Sequence, residues 1–128
     1  KEHGARLGFM SFFVKAAVHA LKKYPVVNSS VDGTDIVYHG YFDIGVAVGS
    51  PRGLVVPVIR NADQLNLLGL AKTANDLAAR ARSNALTPDE YQGGSCTISN
   101  LGMYGVDVLY AIVNPPQSFI LGVGRVKA

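Results

Sequence analysis

The sequence has little cysteine and no long apolar run. Cys96 is its single cysteine, which excludes an internal disulfide, leaves no cysteine set for zinc and favours a reducing compartment. The longest apolar runs, such as residues 54–59, are far shorter than the roughly 20 residues of a membrane-spanning helix. No signal peptide opens the chain, so we expect a soluble protein that does not enter a membrane.

The sequence also has only a small excess of positive charge. Twelve Lys and Arg against nine Asp and Glu leave a net charge of +3, and the cations are scattered, so no nucleic-acid partner is expected. A metal-ligand set, a P-loop and a G-x-S-x-G elbow are missing, and Gly122-Val123-Gly124 lacks the third glycine of a dinucleotide fingerprint. What remains is 48% hydrophobic, which predicts one compact domain over residues 1–128.

Helical spacing is present in two stretches. The first runs from Phe9 to Tyr24 and ends before Pro25, because proline disfavours helical geometry at the preceding residue. Its predicted apolar face consists of Phe9, Phe12, Phe13, Ala16, Ala17, Ala20, Leu21 and Tyr24. The second runs from Leu65 to Asn84, with Lys72, Asp76, Arg80 and Arg82 available for solvent. The sequence Thr87-Pro88-Asp89-Glu90 then predicts a capping box with proline at the first helical position.

Strand patterns occupy most of the rest. Asp32-Gly33 predicts a hairpin turn that leads into a strand over 35–38. Apolar runs over 42–48 and 54–59, joined by a Gly- and Pro-containing loop, predict a second hairpin in the centre of a sheet, with Pro57 at an edge or a bulge. A last strand over 118–123 follows a Pro-Pro corner. This order predicts an α+β sandwich, with a mostly antiparallel or mixed sheet and helices on one face.

The stretch from Gly93 to Gly102 has the most chemical interest. Strand alternation puts Ser95, Thr97 and Ser99 on one face, a row of hydroxyls that is either solvated or the wall of a site. Ser99 lies where the strand ends, so its hydroxyl is able to reach an oxygen of a bound substrate.

The three histidines offer a weaker case. We expect His3, His19 and His39 to be solvated or locally bonded. The H-x-x-x-D sequence from His39 to Asp43 suggests a base and its orienting carboxylate, but in an extended strand these residues are about 13 Å apart. The carboxylate therefore cannot hold the imidazole.

Five blocks carry a more specific signal when they are read in order. They are LGFMSFFVKAAVHALKKYP, VNSSVDG, IVYHGYFDIGVAVGSPRGLVVPVIRNAD, GGSCTISNLGMYGV and IVNPPQSFILGVG. Together they resemble the catalytic core domain of dihydrolipoamide acyltransferases, the core-forming component of 2-oxo acid dehydrogenase complexes. The resemblance implies a chloramphenicol-acetyltransferase-like α/β sandwich that forms trimers and cage-like cores. It also implies a bacterial cytoplasmic or mitochondrial matrix location.

The reaction implied by this resemblance is acyl transfer from a dihydrolipoyl group, carried on a separate lipoyl domain, to the thiol of coenzyme A. The resemblance makes Ser99 the donor to the tetrahedral oxyanion and a histidine the general base. It places Asn100, Gly49 and Gly124 along the coenzyme A channel. The family's H-x-x-x-D-G motif, which holds that histidine, is not among the 128 residues, so we expect little or no transferase activity from this chain alone.

Several alternatives stay open. The segment through Asp63 resembles succinyl-transferring members, whereas S-N-L-G-M-Y-G-V resembles acetyl-transferring ones, and the longer segment favours succinyl. The chain is a partial catalytic core, a non-catalytic subunit that serves assembly with the other complex components, or an engineered truncation of the same domain.

Overall fold

A computed structural model describes residues 8–127 and contains two α-helices and eight strands in this range. The helices are α1 (Phe9–Lys23) and α2 (Leu67–Arg82). The strands are β1 (Ser29–Asp32), β2 (Asp35–Tyr38), β3 (Ile44–Val46), β4 (Val48–Ser50), β5 (Gly53–Val55), β6 (Val58–Ile59), β7 (Cys96–Asn100) and β8 (Ile120–Val123). No helix in this described part is long and apolar enough to cross a bilayer.

Helix α1 ends before Tyr24 and Pro25, as predicted, but its predicted apolar face is partly wrong. Phe9 and Phe12 are 63% and 50% exposed, and Ala16, Ala20 and Tyr24 are exposed as well. The buried stripe instead has the spacing i, i+3, i+4, i+7 and consists of Val14, Ala17, Val18 and Leu21, with Ser11 one turn earlier. The prediction included the exposed Phe9 and Phe12 and omitted two of the buried residues, Val14 and Val18.

The first predicted hairpin is confirmed, but its two-residue loop is Gly33-Thr34 and Asp32 is the last residue of β1. Strands β1 and β2 pair antiparallel, with Asp32 opposite Asp35, and Gly33 takes the positive φ of 63° that such a turn needs.

The second predicted hairpin is present as two shorter pairs. Strand β3 pairs with β6 and β4 pairs with β5, all antiparallel. The chain leaves the first pair at Ala47, whose N–H donates to the Ile98 carbonyl of β7 at 3.0 Å. Pro57 precedes β6, an edge strand, which agrees with the edge position predicted for it. The central position predicted for the whole second run is wrong, because Leu54 of β5 is 72% exposed.

The main sheet is mixed, with the order β6-β3-β7-β8. Strands β3, β7 and β8 are parallel and β6 is antiparallel to β3. Both helices pack on the face of this sheet that carries Cys96 and Ile98, which confirms the mixed α+β architecture with helices on one face. The shared core consists of Val14, Ala17, Val18, Leu21, Ile44, Val46, Val48, Ile59, Ala62, Leu70, Leu77, Ala81, Cys96 and Ile98.

Helix α2 is held at both ends. The Asn66 side chain accepts a hydrogen bond from the Gly69 N–H at 2.7 Å and caps its N-terminus. Near its C-terminus, Arg80 pairs with Asp76 at 2.9 Å and with Glu90 at 2.5 Å. Glu90 completes the predicted capping box with Thr87, so this ion pair attaches α2 to the turn that precedes β7.

Candidate functional site

The hydroxyl row on β7 is neither a solvated face nor the wall of a single site. Ser95 and Thr97 are buried, and their hydroxyls donate to the Tyr41 carbonyl at 3.4 Å and to the Gln117 side-chain oxygen at 2.6 Å. Ser99 is half-buried, and its hydroxyl takes part in none of the side-chain hydrogen bonds within residues 8–127. Of the three hydroxyls, Ser99 is therefore the one that remains available to a ligand.

A cavity of about 300 Å³, termed the Ser99 cavity below, opens where the parallel strands β3 and β7 end. Carboxyl ends of parallel strands are common ligand sites in α/β sheets. Three of the four predicted site residues, Ser99, Asn100 and Gly49, line this cavity. Its other described lining residues are Met10, Val46, Ala47, Val48, Leu54, Pro57, Ile59, Ala74, Asn75, Leu77, Ala78, Arg82, Leu101, Met103 and Tyr104.

Two hydrogen-bond donors lie at the end of β7, on opposite faces of the sheet because Ser99 and Asn100 are consecutive strand residues. The Asn100 side-chain oxygen accepts the Gly102 N–H at 2.9 Å, which fixes the orientation of the amide. The Asn100 NH₂ group and the Ser99 hydroxyl take part in none of the side-chain hydrogen bonds within the described residues. A free hydrogen-bond donor at a strand end beside a largely apolar cavity suits an oxygen that gains negative charge during a reaction.

The two predicted glycines differ in their surroundings. A Cβ atom built on Gly49 would meet no atom within 4 Å, so a side chain there would extend into open space. A Cβ atom on Gly124 would lie 1.9 Å from the Asp107 carbonyl oxygen, so glycine is required there for close backbone packing. Gly124 lines a separate cavity of about 320 Å³, which shares Asn100 and Met103 with the Ser99 cavity.

A larger cavity, of about 580 Å³, lies on the side of β5 and the Pro115–Pro116 corner. It contains none of the predicted site residues and shares only Leu54 with the Ser99 cavity. Size alone therefore does not select the site.

The described histidines do not reach the Ser99 cavity. His19 is exposed on α1, and the His39 ring stacks on Tyr41 with 4.8 Å between the ring centroids. The carboxylate of Asp43 instead accepts the Asn61 N–H at 2.9 Å and pairs with Arg60 at 3.3 Å. Asp43 therefore contacts Asn61 and Arg60 rather than His39, and His3 lies outside the described residues.

Nucleophilic and metal chemistry find no support in the described residues. Burial raises the pKa of the Cys96 thiol to about 12, so this sulfur is protonated and unreactive at neutral pH. Residues 8–127 hold no group of three His, Cys, Asp or Glu side chains that fits a metal ion.

Sequence reasoning missed one feature of the cavity. Arg82 was expected only to face solvent, yet it lines the Ser99 cavity. Ala74, Ala78 and Arg82 recur every four residues on α2, which places them on one side of the helix. That spacing was visible in the sequence, but it indicates a surface only once the facing strand ends are known.

Comparison with known proteins identifies relatives of this chain and of its fold. The profile of the 2-oxoacid dehydrogenase acyltransferase catalytic domain matches residues 1–128. The succinyltransferase component of the 2-oxoglutarate dehydrogenase complex of Cupriavidus necator is 61% identical over 127 residues, and that of Escherichia coli K12 is 52% identical over 127. Each alignment covers 99% of this chain but only 30% and 31% of the relative, so the chain spans about a third of their length.

Solved structures agree with this assignment of fold. A structure from crystallographic and enzymatic work on a serine, a histidine and an asparagine in the mechanism of Azotobacter vinelandii dihydrolipoamide acetyltransferase has a TM-score of 0.94 and 44% identity. The cubic core of a pyruvate dehydrogenase multienzyme complex gives the same values. Both alignments cover 97% of this chain and 52% of the solved chain.

Proposed function

Since the chain belongs to the family of 2-oxoacid dehydrogenase acyltransferase catalytic domains, we propose that it moves an acyl group from dihydrolipoyl-lysine to coenzyme A. The observation that carries this proposal is the shared cavity of Ser99, Asn100 and Gly49 at the ends of β3 and β7. The unpaired Ser99 hydroxyl supports it, because thioester exchange places negative charge on a carbonyl oxygen that such a donor stabilises.

In the proposed reaction, the coenzyme A sulfur forms a bond with the thioester carbon and the bond from that carbon to the lipoyl sulfur breaks. The thiol proton of coenzyme A ends on the departing lipoyl sulfur. Ser99 donates a hydrogen bond to the carbonyl oxygen as its charge develops, and Asn100 lines the channel that coenzyme A occupies. Mutation of one such donor in other enzymes costs about 10²–10³-fold in rate.

A general base must also accept the thiol proton. The described histidines, His19 and His39, lie away from the Ser99 cavity, so neither is assigned this role. The base therefore has to come from outside the described lining residues, and acyl transfer by the 128 residues without an added base is expected to be slow.

Succinyl is the acyl group that we propose. The support is the identity of 61% and 52% to proteins named succinyltransferases, against 44% to the solved acetyltransferase. The acetyl group is the alternative, favoured by the sequence that follows Ser99.

The proposed fold family is that of chloramphenicol acetyltransferase, and the proposed assembly is a trimer that builds a larger core with lipoyl domains and other complex components. Exposed apolar side chains support an assembly, since Tyr110 and Ile112 are 95% and 87% exposed. The similarity to a cubic core supports it as well. The proposed location is the bacterial cytoplasm or the mitochondrial matrix, in line with bacterial relatives and a mitochondrial relative from Arabidopsis thaliana.

A second candidate function is a non-catalytic assembly subunit of the same fold. It is favoured by one observation, that no described histidine lines the Ser99 cavity. The two candidates differ in whether this cavity binds coenzyme A and supports transfer.

Transfer of the succinyl group from S-succinyldihydrolipoamide to coenzyme A tests the proposal, with imidazole added as an external base and protein-free reactions subtracted. We expect the rate to rise with imidazole and to fall about 100-fold or more in Ser99→Ala. Ser95→Ala is the matched control, since its hydroxyl lies on the same strand segment but bonds to Tyr41 away from the cavity. A rate that Ser99→Ala leaves unchanged, or no protein-dependent transfer at any imidazole concentration, would favour the assembly subunit.

A further inference from the structure

Arg82 is a charged residue of the Ser99 cavity that the proposed chemistry leaves without a role. It is exposed at the last position of α2, and it lines the cavity together with Ala74 and Ala78 of the same helix. Arginine side chains on a helix surface are ordinarily solvated, so its position alone assigns nothing.

The charges of the residues that line the Ser99 cavity suggest a role for Arg82. Of the eighteen described residues that line the Ser99 cavity, Arg82 alone carries a charge at neutral pH. The remaining lining is aliphatic, methionine or uncharged polar. A cavity with one cation and no carboxylate among its described lining residues favours a ligand that has an apolar body and an anionic group.

Arg82 differs from the neighbouring Arg80 in having no partner among the described side chains. Arg80 is occupied by Asp76 and Glu90. Within residues 8–127 the guanidinium of Arg82 takes part in none of the ion pairs or side-chain hydrogen bonds. Its donors are therefore available for a ligand, and the planar guanidinium is suited to bidentate contact with a carboxylate or a phosphate.

We propose that Arg82 binds an anionic group of the thioester or thiol ligand whose reacting carbonyl meets Ser99. This inference rests on the proposed function and adds a residue that determines ligand choice. The anion has two possible sources with the same chemistry, the terminal carboxylate of a dicarboxylic acyl group and a phosphate of coenzyme A.

Four probes separate these sources by calorimetric titration into the 128-residue chain. S-succinylpantetheine and S-butyrylpantetheine have acyl chains of the same length and differ in the terminal carboxylate, while coenzyme A and pantetheine differ in the nucleotide with its phosphates. Arg82→Ala is expected to weaken one charged probe about tenfold and to leave its neutral counterpart within about twofold. The succinyl pair responds if the acyl carboxylate is bound, and the coenzyme A pair responds if a phosphate is bound.

Lys72→Ala is the matched control, since it removes one exposed positive charge from the same helix at a residue that lines none of the three cavities. Arg82→Lys keeps the positive charge but loses the planar guanidinium that makes bidentate hydrogen bonds. Its affinity for the charged probe should therefore lie between those of Arg82→Ala and the wild type. Urea unfolding of every variant detects loss of a purely structural role at the helix C-terminus.

The inference is overturned if Arg82→Ala weakens charged and neutral probes equally, if it changes neither, or if Lys72→Ala has the same effect. Wild-type protein that binds none of the four probes overturns the proposed function, and this inference with it. Wild-type protein that binds them without discrimination by Arg82 overturns the inference alone.

Discussion

Gly49 allows a prediction in which stability and binding move in opposite directions. Replacement by valine puts a β-branched side chain on β4, where the first added atom meets nothing within 4 Å. Glycine in a strand is less stable than alanine by about 0.5–1 kcal/mol, because the unfolded chain loses freedom when a side chain is present. The Gly49→Val protein should therefore be at least as stable as the parent, with a melting temperature about 2–5 °C higher.

Ligand binding should respond in the other direction. Gly49 lies on the rim of the Ser99 cavity of about 300 Å³, so the valine methyls occupy space that a pantetheine arm needs. Overpacking of this kind costs about 1–3 kcal/mol, which corresponds to about a 5- to 150-fold increase in the dissociation constant of coenzyme A. Thermal unfolding followed by circular dichroism and calorimetric titration of coenzyme A give the two quantities.

Gly124→Ala is the contrasting variant. Its Cβ atom would lie 1.9 Å from the Asp107 carbonyl oxygen, so the backbone must move and stability should fall by about 1–3 kcal/mol. If Gly49→Val lowers the melting temperature, or if it leaves coenzyme A binding unchanged, the assignment of Gly49 to an open ligand cavity is wrong.

Three further predictions concern the residues that hold the fold together. A hydrogen bond from Arg80, followed by the Thr87 backbone, lowers the pKa of Glu90 from 4.5 to about 2, so the stability from this carboxylate is present above pH 4.5 and lost as the pH falls toward 2. The urea midpoint of Glu90→Gln should accordingly lie below that of the parent at pH 6 and approach it near pH 2, and equal gaps at both pH values would contradict this. Burial raises the pKa of Cys96 to about 12, so iodoacetamide should label it only after unfolding in urea, and rapid labelling of the native protein would refute its burial. Leu70 is fully buried between the helices and the sheet, so Leu70→Ala should lose about 2–5 kcal/mol in urea unfolding, whereas a loss below 1 kcal/mol would mean that this core is not packed as described.

Much of the fold follows from local sequence signals. Pro25 ends α1, Gly33 turns the first hairpin, and Thr87 with Glu90 forms the capping box, because each signal acts through a few neighbouring residues. Such interactions do not depend on how the rest of the chain packs.

The parts that the sequence did not predict depend on distant contacts. The second hairpin divides at Ala47 because its N–H bonds to Ile98 of β7, fifty-one residues later in the chain. The buried stripe of α1 falls on Val14 and Val18 because that side meets the sheet, a choice that periodicity alone does not make. At the site, the strand end predicted a role for Ser99. The position of Arg82 at the same cavity was not predicted, because it depends on how α2 packs beside the strand ends.

The central claim is that the cavity of Ser99, Asn100 and Gly49 binds coenzyme A, and an NMR titration of the ¹⁵N-labelled chain tests it most directly. We expect coenzyme A to shift the amide signals of these three residues most strongly and those of the β1–β2 hairpin little. The same titration of Ser99→Ala should leave the location of the shifts unchanged, since this hydroxyl acts on the thioester oxygen rather than on coenzyme A. Shifts centred on the hairpin or on the larger cavity beside Pro115, or no shifts at millimolar coenzyme A, would contradict it.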